Sequence, residues 1–361
     1  MNILHITAMC PLSQNSGIPA VLTQLVDAQN KIEGVGSKVL SLKDDVKTFN
    51  SPYFYYIGNR NIHDFLKSEK VDVAIIHSFF HIEYVKMVDA LIKERIPFFI
   101  EPHGSFGANA MKKSHIKKVI ANATIFRSQI KKSKGYIFTN VAEMQDSIYR
   151  TKYDLVISNG VQPDIVNNSA NKSEETLVKP IFYFLGRYDI HHKGLDYLFD
   201  ALDIIDQKNI DLCVRIYGTG TDEQVAYVNK RIAAYKIINV KNCGTIYGED
   251  KKTALEQCNI LLLTSRYEGS PMTVLDALTY GNPCLVTPGT NVADEMVANR
   301  IGWRTELDAT CIAKTLLFAR RDYVKNGEEY YSNCKQYVLE NYSWDKLAAA
   351  SIEAICKVLN K

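Results

Sequence analysis

The rhythm of short apolar runs constrains this chain more than any other feature. Strand-sized segments at "NILHIT", "SKVLSL", "VDVAIIH", "PFFIEPHG", "GYIFTN" and "DLVISNG" are separated by stretches with helical spacing, such as "PAVLTQLVDAQNK" and "AEMQDSIYR". A polar stretch, "QPDIVNNSANKSEETLVK" from Gln162 to Lys179, interrupts the rhythm, which then restarts at "IFYFLGR", "DLCVRIYG", "NVKNCG", "NILLLTS" and "NPCLVT". Strand and helix in strict alternation predict parallel sheets covered by helices on both faces. Two such series joined by a polar linker predict an α/β chain of two doubly wound domains. The expected boundaries are residues 1–161, a linker over 162–179, a second domain over 180–342, and a terminal helix over 343–361 capped by Ser343. Ligands of doubly wound sheets bind at the C-terminal ends of the strands.

Bulk properties narrow the function class. A length of 361 residues suits two cores better than one. A net charge of +3 is far from the basic excess of a nucleic-acid-binding domain. Cys10, Cys213, Cys243, Cys258, Cys284, Cys311, Cys334 and Cys356 are scattered, with no CxxC or zinc-type cluster, so reduced cytoplasmic thiols are expected. The chain opens directly into a strand, from which no signal peptide is expected, and its apolar runs fall short of a membrane span.

The most informative stretch is "SRYEGSPMTVLDALTYGNPCLVT", from Ser265 to Thr287. A buried strand leads into a turn and then a helix ended by Gly281. Ser270 is the expected N-cap and Pro271 the first helical residue. The amides of Met272 and Thr273, together with the helix dipole, then form a site for an anion. Glu268 and Asp276 flank it. Carboxylates repel phosphate, so their expected partners are hydroxyl groups, and phosphate beside hydroxyls describes a nucleotide sugar. An ordinary turn with two solvated acids is the alternative. Upstream, "FLGRYDIHHKGLDYLFDAL" places Arg187 after a strand and Lys193 just before a helix, where two cations suit a diphosphate.

In combination and in this order, these segments resemble the retaining glycosyltransferases of family 4, which have the GT-B fold: two Rossmann-like parallel-sheet domains facing a central cleft. The resemblance rests on "SGIPAVLTQLVDA", "EPHGSFG", "VISNGVQPD", "FLGRYDIHHKG", "VRIYGTGTDEQ" and "YEGSPMTVLDALTYGNPCLVT". It implies that Arg187 and Lys193 bind the donor diphosphate and that Glu268 holds sugar hydroxyls. It places His103 near the transferred sugar and the backbone of Gly269, Ser270, Pro271, Met272 and Thr273 at the phosphates or sugar. Gly17 is implied to admit the donor phosphate, while Gly218 and Thr245 border the base. The family's second acid is usually Glu. Here it is Asp276, one methylene shorter, in the ribose-binding role. The implied activity is transfer of a hexosyl or N-acetylhexosaminyl group from a UDP- or GDP-sugar to a glycan or polyprenyl-diphosphate-linked acceptor. Bacterial O-antigen or capsule assembly is the expected context.

No Asp-x-Asp element occurs in a plausible site and Asp44–Asp45 lies in a surface-like stretch, so no metal and no cofactor beyond the nucleotide sugar are expected. From Lys112 to Lys134 the chain carries seven lysines, one arginine and no acid, with Ile116, Val119, Ile120, Ala123, Phe126 and Ile130 at helical spacing. One reading is a core-packed helix with a solvated basic face. The other is a surface that brings Lys112, Lys113, Lys117 and Lys118 to anionic lipid and the acceptor, at the inner face of the cytoplasmic membrane. A sugar-nucleotide epimerase and a catalytically weak partner subunit share the implied fold. A nicotinamide dehydrogenase is disfavoured, because no Gly-x-Gly-x-x-Gly follows the first strand.

Overall fold

The computed structural model describes residues 1–8, 17–43, 52–58, 60–107, 121, 124–168, 178–268 and 271–360. The chain divides into two compact units, Met1–Gln162 with Tyr342–Lys361, and Pro163–Asn341. Among the described residues, no helix is long and apolar enough to cross a membrane.

The first unit is built on seven parallel strands: β1 (Asn2–Thr7), β2 (Gly36–Ser41), β3 (Phe54–Tyr56), β4 (Val73–His77), β5 (Phe98–Glu101), β6 (Gly135–Phe138) and β7 (Leu155–Val156). Their order is β3-β2-β1-β4-β5-β6-β7, so the direction of winding reverses between β1 and β4. Side chains alternate between the two faces, and both faces are apolar. Leu4, Ile6, Ala74, Ile76, Phe98 and Ile100 join one core. Ile3, Val73, Ile75 and Phe99 join another with Ile355 and Val358 of the terminal helix Trp344–Leu359. That helix buries Trp344, Ala348, Ser351, Ile355 and Val358, positions that fall on one face. Its first turn also packs on Leu25 and Ala28 of the helix Gly17–Asn30.

The second unit has six parallel strands: β8 (Ile181–Leu185), β9 (Cys213–Tyr217), β10 (Asn239–Gly244), β11 (Ile260–Leu263), β12 (Cys284–Val286) and β13 (Gly302–Arg304). Their order is β10-β9-β8-β11-β12-β13, and the switch point lies between β8 and β11. Phe182, Phe184, Leu198, Leu202, Val214, Ile216 and Leu262 form its core with Leu316 and Tyr323 of a helix, Ala309–Asn341, that kinks at Asn326.

Several sequence expectations are corrected. β3 and β13 are too short to stand out in a periodicity reading. The stretch expected as linker begins with a helix, Pro163–Asn168, whose Val166 is buried; residues 169–177 lie outside the described residues. "PFFIEPHG" is a strand only to Glu101, which leaves His103 in the turn beyond it.

Candidate functional site

The turns at the C-terminal ends of β8 and β11, side by side at the switch point, converge on one ion pair. Lys193 Nζ lies 2.7 Å from Glu268 Oε1, with their side chains only 13% and 9% exposed. Ser265 Oγ donates to the same carboxylate oxygen at 2.5 Å, and Glu268 N donates to Gly289 O at 2.8 Å. Close backbone apposition makes the meeting possible. Gly194 has φ +62°, and a Cβ there would stand 2.0 Å from Thr264 O. Thr264 Oγ1 donates to the carbonyls of Lys193 and Gly194, at 3.2 Å each. The two turns are fastened again by Arg266, which makes a two-pronged contact with Asp196 (2.9 and 2.7 Å). His192 stacks on Tyr267 with ring centroids 4.2 Å apart.

The other expected donor-side residues line the same sheet edge or its neighbours. Gly218 follows β9 with φ +146°, and a Cβ there would collide with Gly186 O at 1.8 Å. Gly218 N donates to Gly244 O at 2.7 Å, which draws the ends of β9 and β10 together. Thr245 follows β10 and is exposed. Arg187 is exposed and makes no ion pair among the described residues, in contrast to partly buried and paired Lys193.

The helix after β11 runs Met272–Thr279 with Pro271 at the cap position, so the cap expected at Ser270 moves by one residue. Pro271 has no side-chain donor or acceptor and makes no side-chain cap; instead Val274 N donates to Pro271 O (2.9 Å), closing the first turn. Gly269 and Ser270 lie outside the described residues. Asp276, in the second turn, pairs with Lys251 Nζ at 2.6 Å. Lys251 belongs to the helix Gly248–Gln257 and was not singled out from the sequence.

In the first unit, His103 sits in a left-handed turn at φ +48°, followed by Gly104 at φ +79°. A non-glycine residue in this region is strained, and the turn is held by Glu143, which accepts from Gly104 N (2.5 Å) and from Thr139 N (2.7 Å). His103 Nε2 is 3.2 Å from His77 Nδ1, and His77 Nε2 is 2.8 Å from His5 Nδ1. Glu101 approaches His77 at 3.3 Å and His103 at 3.6 Å. Burial lowers the imidazoles of His5 and His103 to about 4 and that of His77 well below its ordinary value. Burial, with the nearby charge of Glu143, raises Glu101 to about 8. These are the shifts expected when charged forms are desolvated.

His77, Glu101 and His103 are the group among the described residues whose donor atoms converge enough for a small cation, all within 4.8 Å. A hydrogen bond between the two imidazoles accounts for their spacing without one. His5 and His77 were not singled out, although a histidine within each of two apolar strand runs was a visible signal.

Gly17 opens the helix Gly17–Asn30. Lys112, Lys113, Lys117 and Lys118 lie outside the described residues. At the end of the basic segment, Phe126 is buried in the core and Ile130 packs against it, while Lys131, Lys132 and Lys134 are exposed.

Two doubly wound parallel-sheet units with ligand-type residues at their switch points define the GT-B class of fold. A solved glycosyltransferase from Rickettsia africae superposes with a TM-score of 0.73 at 17% identity, covering 99% of this chain and 98% of that one. Anabaena HepE in complex with UDP superposes with a TM-score of 0.72 at 13% identity, covering 99% and 100%. Residues 166–338, nearly all of the second unit, match the family model described as glycosyl transferases group 1. The lipopolysaccharide 1,6-galactosyltransferase of Escherichia coli (strain K12) is 26% identical over 205 residues. That match takes in 50% of this chain and about half (52%) of the relative.

Proposed function

We propose that this chain is a retaining glycosyltransferase that moves a hexosyl group from a UDP-sugar to a hydroxyl of a glycan or lipid-linked glycan in cell-surface polysaccharide synthesis. The observation that carries the reading is the Lys193–Glu268 pair at the switch point of a group 1 domain. An ammonium and a carboxylate held together at strand ends supply both signs that a sugar diphosphate needs: a cation for phosphate oxygen and an acceptor for sugar hydroxyls. UDP in the HepE structure supports uridine as the base, and the galactosyltransferase relative supports a hexose and a surface-glycan setting.

In the reaction, the bond between the donor's C1 and the β-phosphate oxygen breaks and its electron pair stays on the phosphate. The acceptor oxygen bonds to C1 on the same face, and its proton passes to the departing phosphate. Charge builds on that phosphate, so Lys193 and Arg187 lower the barrier directly. This scheme assigns no step to a metal ion. Asp276, released from Lys251, takes the ribose hydroxyls. The acceptor is placed at the cytoplasmic face of the membrane, where the basic segment meets anionic lipid.

The test is a thermal-shift comparison of UDP-, GDP- and ADP-sugars, followed by nucleotide release with and without lipid-linked acceptor. A ligand at about a hundred times its Kd stabilises by about 2.7 kcal/mol. Stabilisation by UDP-sugars and acceptor-dependent release of UDP are expected. Release without acceptor points to an epimerase, binding without release points to a partner subunit, and no stabilisation by any nucleotide sugar refutes the reading.

A further inference from the structure

A chain of hydrogen bonds in the first unit runs from the terminal helix through the sheet to His103, and its polarity can be read from one end. Ser351 Oγ donates to Ala348 O at 2.7 Å, a backbone oxygen that can only accept. With its one proton so engaged, Ser351 Oγ is an acceptor, and Gln29 Nε2 faces it at 3.5 Å. Gln29 Oε1 therefore points inward, where it accepts from Ser37 Oγ at 2.6 Å and lies 2.9 Å from His5 Nε2. Only a protonated Nε2 suits that oxygen.

A neutral imidazole carries a single N–H. His5 Nδ1 is then bare and accepts from His77 Nε2. By the same rule His77 Nδ1 is bare and accepts from His103 Nε2. Burial keeps all three rings neutral, as their lowered pKa values require. Glu101 fits the same polarity. Its Oε2 faces the bare His77 Nδ1 at 3.3 Å, where a carboxylate would repel the lone pair and a protonated carboxyl would not.

We propose that this relay fixes His103 as the Nε2–H tautomer, with Gln29, His5 and His77 as positioning residues, so that His103 Nδ1 is a hydrogen-bond acceptor for a ligand hydroxyl. No described residue hydrogen-bonds to that nitrogen. A bare nitrogen attracts an O–H and repels phosphate or carbonyl oxygen, so His103 favours a ligand hydroxyl over a phosphate.

The experiment is long-range 1H–15N correlation on the full chain labelled with 15N-histidine at pH 7, with rings assigned by single substitutions. All three rings are expected neutral and protonated on Nε2. A His103 protonated on Nδ1, or charged at pH 7, overturns the relay. So does zinc retained stoichiometrically after purification, since a metal held there needs His103 Nε2 bare. Gln29→Leu removes the anchoring acceptor and is expected to turn the His103 spectrum into a mixture of both tautomers; an unchanged spectrum removes Gln29 from the relay. Should that variant not fold, the wild-type spectrum alone still decides the tautomer. A protein that binds no nucleotide sugar yet shows the expected tautomers leaves the relay standing and defeats only the transferase reading.

Discussion

Replacing Lys193 by Met and Glu268 by Gln, singly and together, tests the ion pair on which the donor reading depends. At 2.7 Å and with little exposure, the two charges attract by about 6 kcal/mol at an effective dielectric constant of 20, most of which offsets their desolvation. Removing one partner strands the other in a buried site, a loss on the order of 3–5 kcal/mol. Lys193→Met keeps the aliphatic stem that packs near Gly186, so its cost is electrostatic rather than a cavity. Glu268→Gln keeps the acceptor for Ser265 Oγ. Each single variant is expected to lose about 3 kcal/mol. A unit of this size loses about 2–4 °C per kcal/mol, so the melting transition of the second unit should fall by about 6–12 °C. The double variant has no stranded charge and should be no less stable than either single one, a coupling of about 3 kcal/mol or more. Urea denaturation of the four proteins measures this directly. Losses that add to within about 0.5 kcal/mol refute the claim that the two side chains act as a unit.

Three further outcomes are expected. Between about pH 4.5 and 6.5 the unfolded chain takes up protons on His5, His77 and His103 that the folded chain refuses, so stability rises with pH. Above 6.5 the folded chain holds a proton on Glu101 up to about 8 that the unfolded chain has lost, and stability falls by about 1.4 kcal/mol per pH unit. Urea midpoints should peak near pH 6.5, and Glu101→Gln should flatten the alkaline side; a fall of wild-type slope in that variant would contradict the assignment. Gly194→Ala forces a Cβ onto Thr264 O in left-handed backbone and should cost on the order of 3 kcal/mol, read by the same titration. Arg187→Ala, at an exposed site, should change stability by less than about 0.5 kcal/mol while lowering turnover by about 10²–10³ in a nucleotide-release assay.

Periodicity in the sequence carried the two-sheet plan because strands buried on both faces must be apolar throughout, and the runs at Asn2–Thr7 and Ile260–Leu263 are. It failed at Phe54–Tyr56 and Gly302–Arg304, where three residues carry no period. The helix Pro163–Asn168 inside the expected linker was not legible, because a short polar helix that buries one Val166 has the composition of a loop. Their places ahead of a helix and beside a turn single out Lys193 and Glu268 as candidates for a donor site. That they touch was not legible, since they are 75 residues apart and meet only because β8 and β11 are neighbours. Lys251 escaped notice because its role depends on Asp276 across a helix packing.

Local chemistry fixed what each segment of this protein is: which runs are strands, where turns break them, and which side chains carry charge or lone pairs. Strand order then decided which of those groups meet, because parallel pairing joins residues far apart in the chain. The same pairing takes His5, His77 and Glu101 out of water. Their protonation states therefore come from burial and neighbours that no local reading of the sequence contains.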